Sequence, residues 1–226
     1  MCGRLNQHPD HTHSWREYRS FLEIELPRYN VAPTESLALI REGRIDLARW
    51  WLTPSWSDGP SQKYSMFNAR CEKLSQSPAF RGPFKSQRGV VPMSSFIEWR
   101  TSEGKKQPWS IHRDDACLYA AALWDEWQGE GETLLSCTIV TTAAAKAFEP
   151  WHHRMPVLLA GEEIEHWLDN STPIAADDPV FAPRLKFAWH IAPLPSAVGN
   201  VRNKSPALME PVGETVELRA APESAA

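Results

Sequence analysis

The chain has 226 residues, of which 42% are hydrophobic and 23% charged, a balance that favours one large domain and excludes a disordered chain, a collagen-like repeat or a low-complexity polymer. With 24 Lys and Arg against 28 Asp and Glu, the formal net charge is −4, so no global positive field draws the protein onto nucleic acid and any phosphate site must be local. Eleven tryptophans suggest a large core, a stacking surface, or both.

In chain order, Ser14 and Glu17 have capping-box spacing, and Trp15, Tyr18, Phe21 and Leu22 recur at helical intervals, which predicts a helix over 15–24. From 36 to 52 the pattern changes to period two around Glu42-Gly43, the mark of a hairpin. A strand over Val90 to Arg100, a turn at Ser102 to Lys106 and a strand over Trp109 to Arg113 follow, then β-like segments at Cys117–Trp124 and Leu134–Thr141 divided by Gly129 and Gly131. Helices are predicted at 142–150 and 161–169. Short strands at such regular spacing predict an α+β protein, with a mainly antiparallel β sandwich or barrel-like core and peripheral helices. A single domain is expected over 1–212, with a disordered tail over 213–226.

No apolar run reaches the roughly 18 residues a membrane helix requires, and the first residues lack the basic and apolar regions of a secretory signal. A soluble, cytoplasmic monomer is expected, without a membrane partner. Cys2, Cys71, Cys117 and Cys137 form no C-x-x-C pair and read as free thiols, the last three in the core. His8, His11 and His13 lack suitably spaced Cys or acidic partners, so no metal is expected. Glycine-rich phosphate loops are absent, and no cofactor is expected.

The most informative residue is Cys2. A residue this small after the initiator Met normally permits its removal, which would leave a 1,2-aminothiol with an amine of pKa about 7.7–8.0 and a thiol near 8.5. Around it, Met1-Cys2-Gly3-Arg4, Arg28-Tyr29-Asn30-Val31-Ala32-Pro33-Thr34, Asn68-Ala69-Arg70-Cys71-Glu72, Phe96-Ile97-Glu98-Trp99, His152-His153-Arg154-Met155-Pro156 and Ala197-Val198-Gly199-Asn200-Val201-Arg202-Asn203 occur in that order. This ordered set resembles the SRAP (SOS response-associated peptidase, or abasic-site processing) family over nearly the whole chain.

The resemblance implies a protein that binds single-stranded DNA and captures abasic sites covalently through its N-terminal cysteine, in a DNA-damage setting. The residue chemistry is compatible with this. A free α-amine and an aldehyde give a Schiff base, and the thiol of the same residue can close a five-membered thiazolidine with high effective molarity. Glu98, in the apolar company of Phe96, Ile97 and Trp99, suits an acid/base role with a raised pKa. His152 is a second proton-transfer candidate, preferred to His153 by alignment with the family motif. Asn68 and Arg70 alternate around Ala69 and so share one face of an extended segment; by resemblance they hold the abasic sugar and its phosphates, with Arg4 a third phosphate contact. Pro33 and Trp56 resemble the family's base-displacing wedge, while Trp51 and Ser57 depart from its pattern and weaken the expected stacking on one side. Thr141 and Thr142 fit either a site hydrogen bond or strand-end packing.

Three other readings compete. A thiol peptidase would use Cys2 and His152 as nucleophile and base. An N-terminal nucleophile amidohydrolase also opens Met-Cys-Gly, but the glutamine-site segment of those enzymes is not matched, since Phe84 follows Arg81-Gly82-Pro83. A non-covalent DNA-binding module would survive loss of Cys2.

Overall fold

A computed structural model describes residues 2–8, 28–114, 116–129 and 131–220. The helix predicted at 15–24 lies outside the described residues. Five strands close a barrel in the order β4 (Arg44–Trp50), β3 (Ser36–Arg41), β6 (Arg88–Met93), β9 (Leu118–Gln128) and β10 (Thr133–Ala143). The β3–β4 hairpin turns on two residues, Glu42 (φ 48°) and Gly43 (φ 73°). Positive φ at both positions is the type I′ geometry whose twist matches paired strands. Closure comes from β10, which pairs antiparallel with β9 and parallel with β4 (Ser136 opposite Arg49, Cys137 opposite Trp50).

A second, wholly antiparallel sheet packs against the barrel in the order β14 (Val216–Leu218), β13 (Trp189–Pro193), β8 (Lys105–His112), β7 (Ser95–Ser102), β1 (Leu5–Gln7) and β2 (Arg28–Val31). Leu5, Phe96, Ile111, Trp189 and Ile191 from this sheet meet Leu37, Leu39, Trp50, Met93, Trp124 and Ile139 from the barrel in one buried core. Phe96, Phe148 and Trp189 form its aromatic centre, with edge-on contacts at 5.1–6.1 Å between ring centroids. The α+β class and the β-dominated core are as the sequence predicts; the parallel β4–β10 closure is not visible in strand periodicity, which carries no information on partners.

Several boundaries differ from expectation. The strand expected over Val90 to Arg100 is two strands in different sheets, divided at Ser94, whose N–H is captured by the Asn6 carbonyl at 2.9 Å. The helix expected over 142–150 is absent: β10 runs to Ala143 because its end pairs with β11 (Arg154–Pro156), and turns follow over 146–150 up to Pro150, which cannot supply a helical N–H. The second expected helix is present but shorter, Glu163–Leu168. Part of the expected tail is paired, with Val216–Leu218 joined to β13, and residues 221–226 lie outside the described residues. Gly89 is required by close approach, since a Cβ there would lie 2.9 Å from the Ile40 carbonyl oxygen.

Candidate active site

The start of the chain is held by side chains that complete backbone ladders. Strand β1 lies between β2 and β7, with Leu5 opposite Phe96 and Asn6 opposite Ser95. The Ile97 N–H reaches the Arg4 carbonyl at 2.9 Å, so pairing extends beyond the strand towards Cys2 and Glu98. Between β3 and β6, Ile40 pairs with Val90, but the next pair in that register, Ala38 and Pro92, lacks the proline N–H. The Gln7 carboxamide fills the gap: Nε2 donates to the carbonyls of Ala38 (3.0 Å) and Pro92 (2.8 Å), and Oε1 accepts the Ala38 N–H (2.8 Å). This stitch fixes β1 to the barrel.

A second clamp centres on Asn30, buried at φ 51°, a conformation Asn tolerates better than most residues. Its Nδ2 lies 3.0 Å from each of the carbonyls of Val198, Asn200 and Asn203. Its Oδ1 accepts from Arg4 Nη1 at 2.7 Å, and its N–H donates to Asn6 Oδ1. Arg4 also donates to the carbonyls of Val198 and Gly199 and lies over the Trp99 ring. The structure therefore places Arg4 in a tie between the chain start and the 196–204 loop, where its fork is largely occupied by protein acceptors.

Cys2 is fully buried in the chain that begins at Met1, and its carbonyl accepts a 2.8 Å hydrogen bond from Asn68 Nδ2. Burial, followed by the charge of Glu98, pushes its thiol far above the ordinary range. Phe96 and Glu98 share the barrel-facing side of β7 by strand alternation. Glu98 is 3% exposed, and burial raises its pKa against the opposing amino-terminal charge. His152, half-buried, is pushed down to about 4, first by burial and then by the amino-terminal charge. The same terminal charge acts on Cys2, Glu98 and His152, so the three share one electrostatic environment. His152 Nδ1 lies 2.9 Å from both the N–H and the carbonyl of Arg154. In one tautomer the neutral ring accepts the N–H at Nδ1, and in the other it donates from Nδ1 to the carbonyl.

Asn68 and Arg70 lie on β5 (Asn68–Arg70), which runs parallel to β10 with Ile139 opposite Asn68 and Thr141 opposite Arg70. Both line an open cleft with Lys73, Gln76, Ser77 and Phe80. Arg70 is exposed, whereas Asn68 is buried, its Oδ1 without a hydrogen-bond partner among the described residues. Pro33 is half-buried in a turn, and Trp56 is 68% exposed on the loop after β4. The neighbouring indoles are structural: Trp50 is buried with Nε1 bonded to the Phe67 carbonyl, and Trp51 is half-buried and bonded to the Ser61 carbonyl. Thr141 and Thr142, on opposite faces of β10, are both buried and donate through Oγ1 to the carbonyls of Ala69 (3.4 Å) and Phe181 (2.7 Å). Cys71, Cys117 and Cys137 are buried thiols. His8 packs beside Tyr29, while His11 and His13 lie outside the described residues. No described helix is long and apolar enough to cross a membrane.

Sequence reasoning missed Gln7, Asn6, Asn30 and Arg154 as organisers of the site. A signal existed for Asn30 and Arg154, which lie within the motif blocks, and none for Gln7, whose partner is a ladder gap created by Pro92.

The chain matches the family described as SOS response associated peptidase (SRAP) over residues 1–201, and it belongs to that family. It is 37% identical over 196 residues to the abasic site processing protein YoqW of Bacillus subtilis, covering 81% of this chain and 86% of that one. Over 230 residues it is 30% identical to the abasic site processing protein YedK of Escherichia coli, covering 94% and 100%. The abasic site processing protein HMCES of Gallus gallus is 32% identical over 207 residues, covering 79% of this chain and 61% of that one. A crystal structure of a Bacteroides thetaiotaomicron protein shares the fold, with a TM-score of 0.77 at 21% identity, covering 92% of this chain and 99% of that chain.

Proposed function

We propose that this protein processes abasic sites in single-stranded DNA by covalent capture, with Cys2 as the reacting residue once Met1 has been removed. The observation that carries this reading is the convergence on the chain start of a buried carboxyl, a neutral imidazole and the Asn68 amide, in a member of a family whose curated relatives are named for abasic-site processing. The thiol of the unprocessed chain is covered and protonated, and its nitrogen is an amide. Excision of Met1 supplies the amine and opens the terminus.

The freed amine attacks C1′ of the ring-opened deoxyribose. Nitrogen bonds to carbon, and the carbonyl oxygen becomes a hydroxyl. Glu98, protonated through burial, donates its proton as that hydroxyl leaves as water, and its carboxylate takes back the proton of the resulting iminium nitrogen, giving the imine. The Cys2 S–H then adds across C=N, sulfur to carbon and proton to nitrogen, and closes a thiazolidine. One water is lost overall and nothing is oxidised or reduced. The His152 ring hydrogen-bonds the sugar ring oxygen as the C1′–O bond of the hemiacetal breaks and the C1′ hydroxyl proton passes through water to that oxygen, Asn68 Oδ1 accepts a sugar hydroxyl, and Arg70 binds the adjoining phosphate. Pro33 and Trp56 support the bases flanking the lesion. Arg4 acts through the clamp with Asn30 and the 196–204 loop.

The test is incubation of the Met1-free protein with an abasic single-stranded oligonucleotide, followed by heating and denaturing electrophoresis. Wild type should give a heat-stable adduct. Cys2→Ser should give at most a borohydride-reducible one, because oxygen closes a less stable ring. A heat-stable adduct in Cys2→Ala, or in a protein carrying one extra residue before Cys2, would overturn the reading; turnover of peptides without DNA capture would favour a thiol peptidase.

A further inference from the structure

Glu72 lies in the single 3-10 turn Cys71–Lys73 that follows β5, two residues beyond Arg70. Its carboxylate is half exposed, yet it grips a nearly buried partner: Arg154 Nη1 reaches Oε1 at 2.7 Å and Nη2 reaches Oε2 at 3.1 Å. Arg154 Nη2 also donates to the carbonyl of Thr141 at 2.7 Å and lies 3.2 Å from its hydroxyl. The main chain of the same arginine holds His152 Nδ1. Two segments, one carrying Asn68 and Arg70 into the cleft and the other carrying His152, are thus joined through one arginine.

We propose that Glu72 is a positioning residue: by bracing Arg154 in a two-pronged bond, it fixes the direction in which the His152 ring presents Nε2 to the substrate. The consequence for capture rests on the function proposed above; the orientation of the ring does not. A half-exposed carboxylate contributes little to stability, on the scale of about 0–1 kcal/mol for such pairs, so its loss should leave the fold intact. Arg154 would keep Thr141 and its ladder pairing with Ala143 but lose its fork, which leaves the guanidinium, and through it the His152 ring, less tightly braced. His153, stacked on His152 at 4.3 Å, would move with it.

The test compares Met1-free wild type, Glu72→Ala and Glu72→Gln by nitrogen-15 NMR of labelled histidine. Wild type should show a His152 ring that titrates well below the ordinary value of about 6.5. Glu72→Ala should shift that titration upward as the ring is released to solvent, a direction opposite to the simple loss of a nearby negative charge. Glu72→Gln, with one acceptor oxygen left for Nη1, should be intermediate. In parallel, capture at saturating abasic DNA should slow roughly 10- to 100-fold in Glu72→Ala, the scale of a misplaced reacting group, while half-saturation stays within about twofold. An unchanged His152 titration, or a defect confined to DNA affinity, would overturn the proposal. If Glu72→Ala does not fold, the same upward shift in Glu72→Gln sustains the proposal, and its absence overturns it. A wild type that captures no DNA would refute the proposed function while the NMR arm still decides the role of Glu72.

Discussion

Replacing Gln7 should uncouple the chain start from the barrel. The wild-type carboxamide is fully buried and makes three hydrogen bonds to groups left over where Pro92 interrupts the β3–β6 ladder. In Gln7→Ala, the Ala38 N–H and the Ala38 and Pro92 carbonyls lose these partners. At about 1–2 kcal/mol for each stranded group, the loss is roughly 3–6 kcal/mol, a large part of the ~5–15 kcal/mol that holds a typical domain together. For a chain of this size that corresponds to a Tm lower by roughly 6–24 °C. Gln7→Met fills the same space without donors or acceptors, so it separates lost hydrogen bonds from a cavity. Urea unfolding of all three proteins measures both: Met should recover only a minor share of the deficit. A loss below about 1 kcal/mol in Gln7→Ala, or full recovery in Gln7→Met, would refute the view that the carboxamide acts as a missing rung of the sheet.

Glu98→Gln should slow capture about 10²–10⁴-fold, the usual worth of a positioned acid. The same change should stabilise the fold above the ordinary carboxyl range: burial raises the folded-state pKa, so wild-type stability falls as pH rises towards that value, whereas glutamine has no charge to bury. His152 has the opposite sign. Its folded-state value is lowered to about 4, so its contribution is complete above about 6.5 and is lost as pH falls from there towards 4. Denaturant unfolding at stepped pH should show a shallower acid dependence for His152→Gln than for wild type. Trp56→Ala, at a 68% exposed position, should change stability by less than about 0.5 kcal/mol yet weaken binding of single-stranded DNA by about 1–3 kcal/mol in a titration followed by anisotropy.

The elements most legible in the sequence were those whose signal is local. Glu42-Gly43 specifies a type I′ turn by itself, and the hairpin over 36–52 follows. The apolar neighbours of Glu98 signalled a buried carboxyl with a raised pKa, and alternation put Asn68 and Arg70 on one cleft. What escaped depends on partners distant in the chain. The division at Ser94 exists because Asn6, almost ninety positions earlier, takes its N–H. The helical pattern over 142–150 yields to a ladder with β11, which an isolated window does not contain. That Arg4 also ties the chain start to Asn30 and the carbonyls of Val198 and Gly199 could not be read from its local motif. Gln7 could be found only by knowing which strands meet at Pro92.

Intact-protein mass spectrometry after mixing Met1-free protein with one equivalent of an abasic single-stranded oligonucleotide tests the central claim most directly. Covalent capture predicts a single heat-stable species at the summed mass of protein and oligonucleotide less one water, formed only by chains that have lost the initiator methionine. Unmodified masses after incubation, or the same adduct on chains that retain Met1, would contradict it.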